Sequence, residues 1–200
     1  MVIGLTGGIA SGKSIVGNAL EEKGFPVVDA DKIAREVAEP GEDAYEKIVE
    51  HFGPDVLEHD GTLARKKLGK IIFQDQEKRQ LLNQIMHPSI RKRMLERKDE
   101  LQQNGHSTII FDIPLLIENK LQFMVDKVLL VYVTKEVQLQ RLMDRDKAGG
   151  QDAADRIASQ MALDEKKAFA DEVINNNGTI QETLDQLQIV IHKWKMKPAR

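Results

Sequence analysis

The 200-residue chain contains no cysteine. That excludes disulfides, thiolate zinc sites and a cysteine nucleophile, and it suits a reducing cytosol. It has no excess of positive charge either. Lys and Arg total 29 against 32 for Asp and Glu, a formal net charge of −3, so no overall basic field draws in nucleic acid. The basic cluster Arg91, Lys92, Arg93, Arg97 and Lys98 is interleaved with Glu96, Asp99 and Glu100, which reads as a solvated helix face. Long apolar runs are missing. Val128 to Val133 falls far short of the roughly 20 residues that span a bilayer. The apolar start is broken at Gly4, Gly7 and Gly8 and has no charged segment before it, so no targeting segment is expected. His51, His59, His87, His106 and His192 fall in no ligand spacing such as H-x-x-x-H, which argues against a zinc site. These absences predict a cytoplasmic protein without a membrane or nucleic-acid partner.

What is present is a globular composition, 41% hydrophobic and 30% charged. Short runs rich in Val and Ile, at 2–5, 26–28, 108–113 and 128–133, read as strands buried on both faces, and a shorter one stands at 172–174. Helical stretches separate them, which predicts an α/β fold with a parallel sheet flanked by helices. The first helix should open near Lys13 and stop at Gly24. Residues 31–105 hold no convincing strand and read as helices, with turns at Pro40-Gly41, Gly53-Pro54, Asp60-Gly61 and His87-Pro88. The last helix should start at a capping box, Thr179 with Glu182, and bury Ile180, Leu184, Leu187, Ile191 and Trp194.

Residues 4–14 read GLTGGIASGKS, in which Gly7, Gly12, Lys13 and Ser14 fit the phosphate-loop pattern G-x-x-x-x-G-K-[ST]. The match follows a predicted strand and opens a predicted helix, as the mechanism requires. Glycines let backbone N–H groups close around phosphate oxygens, and the helix N-terminus adds positive potential. Gly8, Ile9, Ala10, Ser11, Gly12, Lys13, Ser14 and Ile15 are the expected ATP-binding stretch. Lys13 can reach the β- and γ-phosphates and the Ser14 hydroxyl can bind Mg²⁺.

A guanine-reading N-K-x-D is missing: the Asn119-Lys120 pair continues as Leu121-Gln122. No D-x-x-G follows the third strand, where Asp112 precedes Ile113-Pro114-Leu115. A GTPase switch is therefore disfavoured, and a kinase fits better. A kinase needs an acceptor pocket, a base and a lid that keeps water out. Residues 31–105 could supply the pocket, and 136–170, with Gly149-Gly150 near the tip, the lid. The remaining segments, 1–30, 106–135 and 171–200, make the nucleotide-binding core.

The second strand runs into VVDADKIAR. Asp29 and Asp31 stand at its carboxyl end, where ligands collect in open parallel sheets. They point the same way if the chain stays extended. One could accept the proton of an attacking hydroxyl and the other orient the site or reach Mg²⁺ through water; a plain helix N-cap is the alternative. Arg141 and Arg145, four apart in QLQRLMDRD, suit a triphosphate on a closing lid. Pairing with Asp144 and Asp146 on a solvated face is the alternative.

Taken together, GLTGGIASGKS, VVDADKIAR, HPSI, DIPLLIE, RLMDRD and ADEVINNNG resemble, in order and approximate spacing, the dephospho-coenzyme A kinase family. The resemblance implies a P-loop kinase core similar to nucleoside monophosphate kinases, with a five-stranded parallel sheet. It implies transfer of phosphate from ATP to the ribose 3′-hydroxyl of dephospho-coenzyme A. By the same resemblance Asp31 is the general base, and Lys13 and Arg141 serve the phosphates. Thr6, Gly8, Arg65, His87, Pro114, Leu115 and Glu118 serve the acceptor, and Asn176 lies on the adenine side of ATP. Asp112 ranks with Asp29 as a further candidate for Mg²⁺. A nucleoside monophosphate kinase, or a nucleotide-binding protein without turnover, remain the alternatives. Ile117 and Ala162 depart from residues common in the family, and neither touches the chemistry.

Overall fold

The computed structural model describes residues 1–147 and 149–198. They divide into two compact units, Met1–Val28 with Leu101–Arg200, and Asp29–Glu100.

The first unit is built on β1 (Val2–Gly7), α1 (Lys13–Glu22) and β2 (Val27–Asp29), whose last residue opens the second unit. The second unit follows with α2 (Ala30–Glu36), α3 (Asp43–Phe52) and α4 (Arg65–Gln74), and α5 (Gln76–Gln103) leads back. The chain continues through β3 (Ile109–Asp112), β4 (Lys127–Tyr132), α6 (Lys135–Asp146), α7 (Gly150–Ala158), α8 (Leu163–Lys166), β5 (Glu172–Asn175) and α9 (Ile180–Lys193). The expected five-stranded parallel sheet is present, in the order β2-β3-β1-β4-β5. Val2 pairs with Ile109 on one side of β1, and Leu5 with Leu129 on the other.

Strand alternation sorts the side chains into two layers. Ile3, Leu5, Ile110, Leu129, Val131 and Ile174 meet Val16, Leu20, Leu187 and Val190 of α1 and α9 in the main core. Leu130 faces the other way, against Leu163 of α8 and Val133. All six residues of β1 are buried, as a continuous apolar central strand requires. The helix α1 ends in a Schellman motif. Gly24 takes φ 84°, its N–H donates to Glu21 O (2.9 Å), and Phe25 N–H donates to Leu20 O (3.0 Å).

Two sequence expectations are corrected. His87-Pro88 makes no turn, because Pro88 lies inside the 28-residue α5. The ring removes one backbone donor, but the turns on either side persist, and Ser89 Oγ donates to Ile85 O at 3.4 Å. In α9 the capping box forms, yet Ile180 is 60% exposed. Thr183 takes the inward place of the first turn instead, where its hydroxyl donates to Asn176 Oδ1 (2.7 Å).

Candidate active site

The loop between β1 and α1 begins as the last strand residue, Gly7, gives way to two left-handed residues, Ala10 (φ 57°) and Gly12 (φ 83°). Those conformations turn successive N–H groups toward one side, the geometry of an anion nest. The carbonyls are drawn off by donors. Lys166 Nζ donates to Gly7 O (2.9 Å), Ser11 N–H to Gly8 O (3.1 Å) and Gln138 Nε2 to Ile9 O (2.8 Å). Asn176 Nδ2 donates to Ser11 O (2.8 Å) and Ile15 N–H to Gly12 O (3.0 Å). Each bonded oxygen is engaged by protein, so the negative ends of these peptide dipoles are neutralised before a phosphate arrives. That is electrostatic preorganisation for an anion.

Gly8 and Gly12 are required by these supports. A Cβ on Gly8 would lie 2.8 Å from Gln138 Nε2, and one on Gly12 would lie 2.1 Å from Asn176 Nδ2. The tip of the loop is held as well. Ile9 N–H donates to Gln160 Oε1 (2.9 Å), and Ile9 and Ala10 pack on the apolar cluster of Leu142, Ala153 and Ile157 in α6 and α7. Residues 136–170, expected as the lid, thus grip the loop by backbone and by side chain. Gly149 caps α7 at an ordinary φ of −65°, and the left-handed residue nearby is Lys147 (φ 49°).

Lys13 and Ser14 open α1 beneath this nest, and the Ser14 side chain is exposed. Lys13 Nζ is bonded to Asp112 at the end of β3, with side-chain exposures of 20% and 13%. The ammonium must leave or share that carboxylate to meet a phosphate. Ser14 and Asp112 offer hard oxygen donors suited to Mg²⁺, which keeps most of its water and is held largely by the nucleotide. Among the described residues no group of three or more His, Cys, Asp or Glu gathers as a ready-made metal site.

The other side chains inferred for the site are placed as follows. Thr6 is fully buried and donates from Oγ1 to Pro114 O (3.0 Å), so its hydroxyl is committed inside the protein. Pro114 is half-buried and Leu115 is 37% exposed. Glu118 is turned inward. Both its carboxylate oxygens are shut off from solvent, and Oε1 lies 2.7 Å from Lys166 Nζ, within ion-pair range though off the line of a hydrogen bond. Asn176, expected on the adenine side, is 1% exposed and bonded between Ser11 O and Thr183 Oγ1, so its side chain serves the loop from behind. Arg141 is half-buried on α6. Arg145 makes a two-pronged contact with Asp146 (2.7 and 3.1 Å), and Arg156 reaches the same carboxylate at 2.7 Å. The two guanidinium groups hold the Asp146 carboxyl down at about 2. The solvated-face alternative therefore describes Arg145 as it stands.

In the second unit the chain does not stay extended past Asp29. Asp29 caps α2, and its Oδ1 accepts from Asp31 N–H (2.8 Å) and Lys32 N–H (3.1 Å). One carboxylate oxygen is used for the cap, and Asp31 stands exposed in the first turn. Arg65, also exposed, donates to Arg35 O (3.4 Å) and lies 3.5 Å from Glu39. His87 is half-buried, and burial, with Arg91 one turn on, pushes its imidazole below the usual histidine value.

A family model described as dephospho-CoA kinase matches residues 1–182. The chain belongs to the dephospho-CoA kinase family. Dephospho-CoA kinase of Halalkalibacterium halodurans is 54% identical over 198 residues, covering 99% of this chain and 98% of that one. The enzyme of that name from Oceanobacillus iheyensis is 53% identical over 98% of both. Among solved structures, a dephospho-CoA kinase from Campylobacter jejuni superposes with a TM-score of 0.73 at 32% identity, covering 98% of each chain. A shikimate kinase from Bacteroides thetaiotaomicron, at 17% identity and a TM-score of 0.51, shows a common kinase fold and no more.

Gln138, Gln160, Lys166 and Thr183 went unnoticed in the sequence of this family member. No spacing rule marks Gln138, Gln160 or Lys166, whose partners are backbone groups more than a hundred residues away.

Proposed function

We propose a division of labour for the family's reaction, in which the γ-phosphoryl group of ATP passes to the ribose 3′-hydroxyl of dephospho-coenzyme A, the last step of coenzyme A synthesis. The observation that carries it is the phosphate loop with its carbonyls tied back. Such a loop presents N–H groups to the β- and γ-phosphates, and Lys13 adds a charge that follows the transferring group. Arg141 meets the same phosphates from α6, and Arg145 joins it only by leaving Asp146. The Asp31 carboxylate takes the proton of the 3′-hydroxyl. The 3′-oxygen bonds to the γ-phosphorus as the bond to the β,γ-bridging oxygen breaks, and ADP departs with that electron pair. Mg²⁺, where Ser14 and the phosphates hold it with Asp112 and Asp29 as outer carboxylates, would neutralise charge on the phosphate oxygens.

Arg65 and His87 bind the acceptor, whose phosphate suits a guanidinium. Leu115 offers it an apolar contact. Residues 31–105 act as the acceptor domain and 136–170 as the lid. No described helix is long and apolar enough to cross a membrane, and we place the protein in the cytoplasm. Asp31→Asn tests the base. General-base catalysis is typically worth about 10²- to 10⁴-fold, so kcat should fall in that range while ATP affinity holds. A variant that lost ATP affinity at normal kcat would remove Asp31 from that role.

A further inference from the structure

Seven polar or charged side chains are buried among the described residues: Thr6, Ser11, Thr108, Gln138, Lys166, Asn176 and Thr183. All but Thr6 and Thr108 belong to the phosphate loop or support it. Lys166 is the one that carries a charge, and it is wholly inaccessible. Its ammonium touches two elements. One is the carbonyl of Gly7, where β1 ends and the loop begins; the other is Glu118, in the segment that follows β3. Lys166 itself ends α8, within the segment 136–170.

Stability does not explain this arrangement. Taking an ammonium and a carboxylate out of water is costly, and well-packed apolar residues in place of such a pair are often neutral or stabilising. A Met at this position would fill a similar volume without that cost. What a Met could not do is bond the Gly7 carbonyl. That bond sets the direction of the peptide at the root of the loop, and therefore the direction of the N–H groups after it. It also places a positive charge directly behind the first loop residue.

We propose that Lys166 is a positioning residue for phosphoryl transfer. It fixes the Gly7 peptide so that the loop meets the transferring phosphate in register, and Glu118 serves the reaction by holding Lys166 rather than by binding acceptor. The proposal rests on the reading of residues 7–14 as the ATP-phosphate site.

The test is steady-state kinetics with ATP and dephospho-coenzyme A, alongside thermal melting, on Lys166→Met with Glu118→Gln, on Glu118→Gln alone, and on Lys13→Ala. The double variant removes both charges together and strands neither. Its melting temperature should stay within a few degrees of the parent. Its kcat should fall by about 10- to 100-fold, the scale of a small misplacement at a reacting group, while KM for dephospho-coenzyme A changes less than about twofold. Glu118→Gln keeps an acceptor of the same shape beside Lys166 and should lower kcat several-fold, with a lowered melting temperature because the buried ammonium loses its counter-charge.

A folded double variant with parental kcat and KM would overturn the proposal. Should the double variant fail to fold, Glu118→Gln decides. A lowered kcat supports the proposal; an unchanged kcat, or a raised KM for dephospho-coenzyme A with nothing else altered, sinks it. Lys13→Ala separates the two levels. If that variant turns over normally, the phosphate-loop reading itself fails. If it is inactive while the double variant is normal, only the role of Lys166 falls.

Discussion

Around the phosphate loop of the first unit, polar side chains are buried and bonded to backbone. Along α5 of the second unit they are exposed and bonded to one another. Arg93 reaches Glu42 at 2.8 Å, Glu96 at 3.3 Å and Glu36 at 3.9 Å, and Arg97 reaches Glu36 and Glu100 at 3.7 and 3.3 Å. The two arrangements solve different problems. A buried amide bonded to a carbonyl has no water to exchange with, so it fixes a peptide whatever the ionic strength. An exposed ion pair trades freely with water and salt, so it biases a surface without fixing it. A loop that must present N–H groups to a triphosphate needs the first kind. The helices of the second unit tolerate the second.

The comparison is broken most sharply at Asn176. Asn176→Ala would leave the Ser11 carbonyl without its side-chain donor and Thr183 Oγ1 without the Asn176 oxygen, both in the interior. The orphaned carbonyl costs about 1–3 kcal/mol, while the Thr183 hydroxyl keeps Thr179 O as acceptor at 3.1 Å. The expected loss of about 1–3 kcal/mol, at the roughly 2–4 °C per kcal/mol of a chain this size, lowers the melting temperature by about 2–12 °C. kcat/KM for ATP should fall as well, since the loop is held from behind by this amide. A variant that melts and turns over like the parent would show that the loop holds its own shape.

Arg93→Ala sharpens the comparison from the other side. Its side chain is 27% exposed and its three partners are all surface carboxylates. Such pairs are worth about 0–1 kcal/mol. The expected loss is below about 1 kcal/mol, and it should shrink further in 1 M salt, where the screening length is about 3 Å. Turnover should be unchanged. A salt-insensitive loss the size of that at Asn176 would mean the second unit is held as rigidly as the loop.

The difference between the units also explains what could be read from the sequence. The buried strands, the phosphate loop and the Thr179–Glu182 capping box were legible because each is a local pattern whose cause lies within a few residues. Pro88 misled for the same reason: its local meaning is a break, and the context of a 28-residue helix overrode it. Asp29 could be assigned as a cap or as a metal group but not to one of them, because the choice depended on where β2 stopped. Lys166, Gln138 and Gln160 had no local pattern at all. Their significance lies in carbonyls and N–H groups of residues 7–9, and backbone atoms are the same in every sequence.

The smallest effect is expected at His87, the one half-buried imidazole in the second unit whose titration is shifted, by burial first and by Arg91 second. Its pKa in the folded protein lies below the unfolded value of about 6.5. Between those two values the unfolded chain binds the proton and the folded chain does not, so stability rises with pH there. Above about pH 6.5 both states are neutral and His87 contributes no pH dependence. As pH falls below that value the unfolded state is favoured by its extra proton, until the folded imidazole is protonated too. Urea melts from pH 7.5 to 5 should therefore show the parent losing stability relative to His87→Gln as the pH drops. A constant difference between the two proteins across that range would mean that His87 is as open to solvent as a histidine in the unfolded chain, and that its place in α5 exerts no hold on its charge.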